Sequence, residues 1–312
     1  MPEFLYRRSG DVYAPTAWAG SPWSRELQHG GPVCGLIASA AEAAAGETGQ
    51  RVVRLSVDLY RPTPLQPLAL AWQFVRRGRR LALIEVRLRH GDADVTRGSA
   101  LLLAPNGEVA STWRQPEPPP PGPEGLDTIS FMPREYLAKV PPGFHRSVEV
   151  RLAEDELGPA LWATTRLDLI EGQATSALAR AAMLSDLTFA LSGRLLLRRG
   201  LVPLDPRRVA LINADMTLYL DRPPEGDWIA MRHGSVSDLD GIGIAEVVQL
   251  DRRGGYGRSL QALVSNPESP PEPTSKQKPP VRRDVECPGS SATLGAGSVS
   301  LLRRARRRPV GA

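Results

Sequence analysis

One acidic residue stands out because it lies within an otherwise apolar segment. Asp186 is flanked by AAMLS on one side and LTFAL on the other. A carboxylate in such a segment must be paired, cap a helix end, or take part in chemistry as a proton acceptor. Ser185 or Asp186 could begin a helical segment, and capping is the commoner role for these residue types. The residue types alone therefore favour capping over catalysis.

A second candidate is the segment His29-Gly30-Gly31, which precedes an Ala-rich apolar stretch. Glycine lets a ligand approach the backbone closely, and the first-turn N–H groups of a helix have no intrahelical partner. At the positive end of the helix dipole, these groups could stabilise a developing oxyanion. A tight turn leading into a helix is the simpler interpretation of the same residues.

A cluster of arginines could bind phosphate groups. Arg76, Arg77, Arg79 and Arg80 flank Gly78. The forked guanidinium group is well suited to phosphate oxygens. A solvated hairpin turn would have the same composition, and the pattern does not decide between the two.

Several other catalytic and metal-binding patterns are missing from the sequence. There is no Gly-x-Ser-x-Gly motif and the four histidines lack metal-ligand spacing, which argues against a serine triad and a zinc site. The two cysteines, Cys34 and Cys287, form no disulfide framework. No apolar run approaches the roughly 18 residues that cross a bilayer, and the first residues lack the layout of a secretory signal. We therefore expect a cytoplasmic protein without membrane insertion, metal or cofactor.

The net charge of +5 belongs to one end of the 312-residue chain. Residues 266–312 contain nine basic and four acidic residues, so residues 1–265 are neutral overall. The same tail is rich in Pro, Ser and Gly, which predicts disorder. The folded part is therefore not expected to bind nucleic acid.

Each half of the chain has a helical pattern followed by strand patterns, which predicts an α+β fold with a helix lying on an antiparallel sheet. We predict helices at 32–45 and 175–197, and strands at 53–59, 70–75, 81–89, 96–103, 208–221, 227–236, 242–251 and 256–264. The Pro-rich run QPEPPPPGP indicates a linker between the halves. The predicted segments are an N-terminal unit (1–114), the linker (115–140), a C-terminal unit (141–265) and the disordered tail (266–312).

The two halves are also related in sequence. A shift of 161 residues aligns LSVDLYRPTP (55–64) with MTLYLDRPPE (216–225), and the same shift aligns Arg97 with Arg258. One fixed offset that aligns two separate strands predicts an internal duplication. The two copies could pair their sheets edge to edge as a pseudo-dimer.

Several ordered blocks resemble the acyl-CoA thioesterase family with a double hotdog fold. In the front half these are HGGPVCGL, RLSVDLYRPTPLQPL and RRGRRLALIEVRL, and in the back half TSALARAAMLSDLTFALSG, LINADMTLYLDRPPEGDWIAM and GIGIAEVVQLDRRGGYGRSLQALV. The resemblance covers about residues 15–265 and does not include the tail. It implies two tandem hotdog units, each a long helix wrapped by an antiparallel sheet, with active-site clefts between the helices.

The resemblance to the bacterial type II members implies three catalytic residues. By position these are Asp186, Asn213 and Gln261. Asn213 stands where the family pattern has Ser or Thr, although an amide can still donate to and accept from a water. Asp215 or Thr217 could take that place instead.

The duplication provides an internal comparison for these three residues. The offset places Val52 at the position of Asn213 and Ala100 at that of Gln261, and aligning the helices places Gly31 at that of Asp186. None of the three polar groups is repeated, which predicts one working site per chain.

The implied function is an acyl-CoA thioesterase of lipid metabolism, which hydrolyses an acyl-CoA thioester with a positioned water and no cofactor. The alternative is a non-catalytic protein that binds acyl-CoA or another acyl ligand. The assembly could be a homo-oligomer. The residues expected to bind substrate are His29, Gly30, Gly31, Arg76, Arg77 and Arg79.

Overall fold

The computed structural model describes residues 4–107, 116–130, 132, 137–201 and 210–266. The tail predicted to be disordered, 266–312, lies outside the described residues except for Asn266. None of the helices in the described ranges is long and apolar enough to cross a membrane.

The front half consists of a strand hairpin, one long helix and four further strands. The helix starts at Gly30, has Pro32 in its first turn and is followed by Gly49, whose φ of 65° is the left-handed conformation common after helix ends. The elements are β1 (Phe4–Ser9), β2 (Val12–Pro15), α1 (Gly30–Thr48), β3 (Arg51–Asp58), β4 (Leu68–Arg77), β5 (Leu81–His90) and β6 (Ala93–Leu103).

The back half repeats this order with two interruptions and with two additional short strands before its helices. The helix predicted at 175–197 is two helices separated at Asp186 and Leu187, and the strand predicted at 208–221 is interrupted at Ala214. The elements are β7 (Thr128–Ile129), β8 (Val148–Asp155), β9 (Gly158–Thr165), β10 (Asp168–Ile170), α2 (Ala177–Ser185), α3 (Thr188–Arg198), β11 (Ala210–Asn213), β12 (Asp215–Leu220), β13 (Ile229–Leu239), β14 (Ile242–Asp251) and β15 (Gly254–Asn266).

The described strands form one continuous sheet. Its order is β10-β1-β2-β4-β5-β6-β3-β12-β15-β14-β13-β9-β8-β7, and β11 pairs with β15 beside β12. The six strands from β1 to β3 in this order have the same arrangement as the six from β8 to β12. The halves join where β3 pairs with β12 in antiparallel orientation, so the edge-to-edge arrangement predicted from the sequence is confirmed.

The register confirms the duplication. Ser56 lies opposite Thr217 in the β3–β12 pair, and these two residues are equivalent under the 161-residue offset. The Thr217 hydroxyl donates to the Ser56 hydroxyl at 3.1 Å. The cross-strand pair Ile84–Ala100 in the front copy corresponds to Ala245–Gln261 in the back copy. A pseudo-twofold axis therefore passes between Ser56 and Thr217.

The central helices pack on the inner face of this sheet with little space to spare. A Cβ atom built on Gly98 of β6 would lie 2.2 Å from Cγ2 of Ile37 on α1, and Ile37 is fully buried. A Cβ atom on Gly35 would similarly lie 2.7 Å from Cγ of Met183 on α2. Glycine at these positions lets α1 approach the sheet and the second helix closely.

The Pro-rich run predicted as a linker packs against the back half of the sheet. The buried Trp162 indole donates to the carbonyl oxygen of Pro121 at 2.7 Å. The Gly255 amide donates to the carbonyl oxygen of Glu117, whose carboxylate accepts from buried Arg232 at 3.1 Å. This segment therefore covers the sheet rather than crossing open solvent.

Replacing Gly98 by valine should destabilise the protein by about 1–3 kcal/mol or more, because the new methyl groups overlap Ile37 and force α1 from the sheet. Gly46→Ala on the exposed part of α1 is the control. A Cβ atom there meets nothing within 4 Å, so alanine should raise the free energy of unfolding by up to about 1 kcal/mol. Urea unfolding of both variants measures the two effects, and a Gly98→Val protein as stable as the wild type would contradict this packing.

Candidate active site

Asp186 lies where the second central helix breaks. It follows the last residue of α2, and α3 begins two residues later. The broken helix ends are satisfied by Gln261 on β15, whose Oε1 accepts from the amide of Phe189 at 2.9 Å. Its Nε2 donates to the carbonyl oxygens of Asp186, at 2.8 Å, and Ser185, at 3.3 Å. One side-chain amide thus replaces helix hydrogen bonds that the break removes.

A second set of buried polar groups fixes the end of α2. The Ser185 hydroxyl donates to the carbonyl oxygen of Ala181 and accepts from Nε2 of Gln249, both at 2.7 Å. The Gln249 Oε1 in turn accepts from the Tyr256 hydroxyl at 2.5 Å. Because each of these side chains is fully buried and paired, the helix break is a rigid part of the interior.

The Asp186 carboxylate receives contacts from both halves of the chain. Its Oδ1 accepts from Nδ2 of Asn213 at 2.7 Å. Its Oδ2 lies 2.9 Å from Nδ1 of His29. Only 3% of the Asp186 side chain is exposed, so the negative charge is stabilised by these neighbours rather than by solvent.

The carboxylate lies directly over the N-terminus of α1. A Cβ atom on Gly30 would lie 2.5 Å from Oδ1 of Asp186, so only glycine fits at this position. The Gly31 amide lies 3.1 Å from Nδ1 of His29, and Pro32 has no N–H. The amide of Gly30 has no partner among the described residues, and unlike that of Gly31 it does not lie against the His29 ring nitrogen.

The proton on His29 can be assigned from its neighbours. Nδ1 has one hydrogen-bonding position, which faces both Oδ2 of Asp186 and the amide of Gly31. A carboxylate at 2.9 Å requires a donor, so we place the proton on Nδ1, which then donates to Asp186 and no longer accepts from the amide of Gly31. This tautomer leaves the lone pair on Nε2, which makes no hydrogen bond to a described residue and is not enclosed by protein.

His145 is a second imidazole beside this group. Its ring stacks on that of His29, with centroids 6.4 Å apart and an interplanar angle of 24°. It is only 2% exposed, and no described side chain hydrogen-bonds to either ring nitrogen. Burial, followed by the nearby His29 and Arg146, lowers the pKa of His145 to about 4. The ring is therefore neutral at physiological pH.

These groups face a cavity of about 420 Å³ between the two halves. His29 and Gly30 reach it from the front half, and Asp186, Asn213 and His145 from the back half. Most of the remaining wall is apolar, as is usual for pockets that bind small molecules. The apolar residues are Trp23, Leu27, Leu59, Met132, Leu187, Phe189, Ala190, Leu211 and Ile212.

The sequence matches two models of one family. The acyl-CoA thioesterase N-terminal domain matches residues 19–103, and the C-terminal domain of the same family matches residues 116–265. The chain belongs to the acyl-CoA thioesterase family. It is accordingly a thioester hydrolase, and its fold is the double hotdog of that family. No curated protein is a significant match to the sequence.

Solved structures with the same fold are distant in sequence. A candidate thioesterase from Novosphingobium aromaticivorans is 23% identical, with a TM-score of 0.62 over 84% of this chain and 98% of that one. A hotdog-fold protein of unknown function from Alicyclobacillus acidocaldarius is 16% identical (TM-score 0.60; 84% and 96% covered). Acyl-CoA thioesterase II TesB2 from Mycobacterium marinum is also 16% identical (TM-score 0.57; 87% and 98% covered). At these identities the likeness concerns the fold alone.

The thioesterase fold brings together some of the residues expected to act and separates others. Asp186, Asn213, His29 and Gly30 face the cavity, whereas Gln261 lies behind the helix break with its amide bound to backbone. The alternatives to Asn213 have other partners. Asp215 accepts from the Ala262 amide, and Thr217 donates to Ser56. The Gly31 amide lies 3.1 Å from Nδ1 of His29, and Gly31 does not line the cavity.

The arginine cluster lies away from the cavity. Arg77 donates to the carbonyl oxygen of Glu47 at 3.5 Å, and Gln50 donates to the carbonyl oxygens of Gly78 and Arg79. These contacts place Arg76, Arg77 and Arg79 at the C-terminal end of α1. The cavity lies at its N-terminal end, and a helix of 19 residues is about 28 Å long. This position favours the alternative interpretation, a solvated hairpin turn.

The alignment of Gly31 with Asp186 requires a correction. The two residues are neighbours in space and not counterparts, because Gly31 begins α1 whereas Asp186 follows the end of α2. The counterpart of the Asp186 contact is at the N-terminus of α2. There, Oε2 of Glu42 on α1 accepts from the Ser176 hydroxyl at 2.5 Å. Each central helix therefore places one carboxylate at the N-terminus of the other.

Two features were missed by the sequence analysis. His145 comes from a short 3-10 turn, Phe144–Arg146, that no helix or strand pattern indicates. Its position is set by the approach of two loops, since a Cβ atom on Gly143 would lie 2.0 Å from the carbonyl oxygen of Gly20. The side-chain contact of His29 with Asp186 was also missed, although a histidine before two glycines was the available signal.

Acidification should destabilise the wild type more than a His145→Phe variant. An unfolded histidine binds its proton near pH 6.5 and the folded His145 near pH 4. Between these values the unfolded state binds more protons, so the free energy of unfolding falls as the pH falls, by up to about 3 kcal/mol. Urea unfolding at pH 7.5 and 4.5 measures this loss. If the wild type and the variant lose equal free energies of unfolding, His145 is already protonated in the folded protein at pH 4.5.

Proposed function

We propose that the protein hydrolyses acyl-CoA thioesters with a water activated by the His29–Asp186 pair. The carrying observation is that Oδ2 of Asp186 lies 2.9 Å from Nδ1 of His29, at the wall of an apolar cavity and over a helix N-terminus. Attack by water on a thioester needs a base, an oxyanion donor and a place for the acyl chain. In this proposal, residues of the chain itself supply all three.

The base in this proposal is Nε2 of His29. Asp186 holds the proton on Nδ1 and stabilises the imidazolium that forms when Nε2 takes a proton from water. Asn213 keeps the carboxylate in place by its hydrogen bond of 2.7 Å to Oδ1. Asn213 is thus a positioning residue, and its amide serves this role as well as a hydroxyl would.

The oxyanion donor in this proposal is the amide of Gly30. It has no partner among the described residues and lies at the positive end of the α1 dipole. The water oxygen attacks the carbonyl carbon, and the carbonyl oxygen becomes an oxyanion that accepts from this amide. When the oxyanion collapses, the carbon–sulfur bond breaks, and the CoA thiolate receives the proton held on Nε2. The products are the free acid and CoA.

Gln261 acts indirectly. Its side-chain amide is bound to the backbone on both sides of the helix break and has no donor left for water. Gln261 is therefore a positioning residue, which keeps the Asp186 side chain beside Gly30 and His29.

Two substitutions test the base. Asp186→Asn and His29→Gln should each lower kcat for acyl-CoA hydrolysis by about 10²–10⁴, measured as release of free thiol across acyl chain lengths. Glu42→Gln is the matched control, because Glu42 is the corresponding carboxylate at the other helix N-terminus and does not line the cavity. It should retain wild-type turnover. Near-normal turnover of Asp186→Asn would refute the pair, and a wild type that binds acyl-CoA without releasing thiol would make the protein a binding protein.

Gly30→Ala tests the oxyanion donor. The added methyl group would lie 2.5 Å from Oδ1 of Asp186 and must displace the carboxylate or the first turn of α1. We expect kcat to fall by about 10²–10³, as when one oxyanion donor is lost. Thiol release measures the loss, and circular dichroism confirms that the variant is folded. A folded Gly30→Ala variant with full activity would exclude this amide from the mechanism.

A further inference from the structure

Arg61 connects the cavity to a second concave surface. It lines the cavity beside Pro62, and it also lines an open groove together with Tyr60. Tyr60 faces this groove with 49% of its surface exposed. A ligand that fills the apolar cavity could therefore continue past Arg61 into a more polar, open site.

The internal duplication shows what is unusual about Arg61. Its counterpart under the 161-residue offset is Arg222, which is almost fully buried. Two nitrogens of Arg222 donate to the two carboxylate oxygens of Asp251, each at 2.6 Å. Arg222 also donates to the carbonyl oxygen of Gly254 at 2.7 Å. In the back copy, this guanidinium is neutralised and closed off.

In the front copy the carboxylate is missing. The hairpin pair Asp251–Gly254 corresponds to the pair His90–Ala93 in the same register. Both His90 and Ala93 line the groove. Arg61 therefore faces a histidine where Arg222 faces an aspartate, and it has neither an ion pair nor a hydrogen bond with any described residue.

The other charged groups of the groove are largely neutralised by one another. Arg87 contacts Glu85 at 2.9 Å and Asp94 at 3.4 Å, and Arg89 contacts Asp94 at 3.0 Å. The carbonyl oxygen of Asp92 accepts from Arg89, and the Asp92 carboxylate adds one negative charge at the rim. Arg61 is consequently the cation that an incoming anion can reach without breaking an existing pair.

We propose that this groove binds the phosphorylated adenosine part of CoA, with Arg61 on a phosphate and Tyr60 against the adenine ring. The proposal rests on the proposed function, because it supplies the subsite for the part of acyl-CoA that the apolar cavity cannot hold. Guanidinium groups bind phosphates through charge-assisted hydrogen bonds, and an exposed aromatic ring stacks on a base. The groove thus replaces the 76–79 arginine cluster as the CoA-phosphate site.

Free CoA provides the primary test, because its binding does not depend on turnover. Titration calorimetry should show that Arg61→Ala weakens CoA binding by roughly tenfold or more, and that added salt reduces the difference. Arg198→Ala removes the same charge from an exposed residue that lines neither surface, and it should bind CoA as the wild type does. Tyr60→Ala should also weaken the binding of CoA, but with little dependence on salt.

A second variant tests the comparison with the back copy directly. His90→Asp recreates the carboxylate that Asp251 provides, so it should pair with Arg61 and weaken CoA binding more than the neutral change His90→Asn does. In activity assays, Arg61→Ala should raise KM for acyl-CoA relative to KM for the matching acyl-N-acetylcysteamine thioester, which has no nucleotide.

The outcomes separate this proposal from the proposed function. Wild-type CoA affinity in Arg61→Ala, or a loss confined to Arg79→Ala in the distant hairpin, would overturn the groove even if hydrolysis is normal. Loss of CoA affinity in Arg61→Ala and in His90→Asp would support the groove even if the protein released no thiol.

Discussion

A buried carboxylate is stable only where donors meet its oxygens, and this requirement governs the centre of the protein. The two oxygens of Asp186 are met by Asn213 from one half of the chain and His29 from the other. Placing the carboxylate there requires a break in the helix, which Gln261 stabilises, and a residue without a side chain at Gly30. The polar contacts around Asp186 therefore also help to join the two halves of the chain.

The large elements could be predicted because their causes are local. Alternating strands, two apolar helices and one offset of 161 residues were sufficient for a duplicated α+β unit with a helix on an antiparallel sheet, and the family resemblance implied the double hotdog. The helix predicted at 175–197 runs through the break because both sides of it have helical composition, although capping by Ser185 or Asp186 was considered. The cause of the break is Gln261, which is 75 residues from Asp186 in sequence. In the same way, the interruption at Ala214 depends on hydrogen bonds to β15 rather than on its own sequence.

The site could be predicted in part because the family resemblance gave positions but not side-chain directions. Asp186 and Asn213 point to the cavity, while Gln261 points into the helix break. The clustering of arginines from Arg76 to Arg79 suggested a phosphate-binding site. It could not show which end of α1 these arginines approach. The isolated Arg61 was overlooked, since its significance appears only when the contacts of the two copies are compared.

The pairing of β3 with β12, which joins the two copies, has a consequence for the synthesis of the protein. The strand β3 finds its partner β12 some 160 residues later in the chain. At about 5–20 residues per second, ribosomes need roughly 8–30 s to supply that partner. During this interval β3 is an unprotected sheet edge, which favours pairing with other chains. During synthesis, the exposed edge of β3 can therefore pair with another nascent chain or bind a chaperone. Either event competes with the later pairing of β3 and β12 within the same chain.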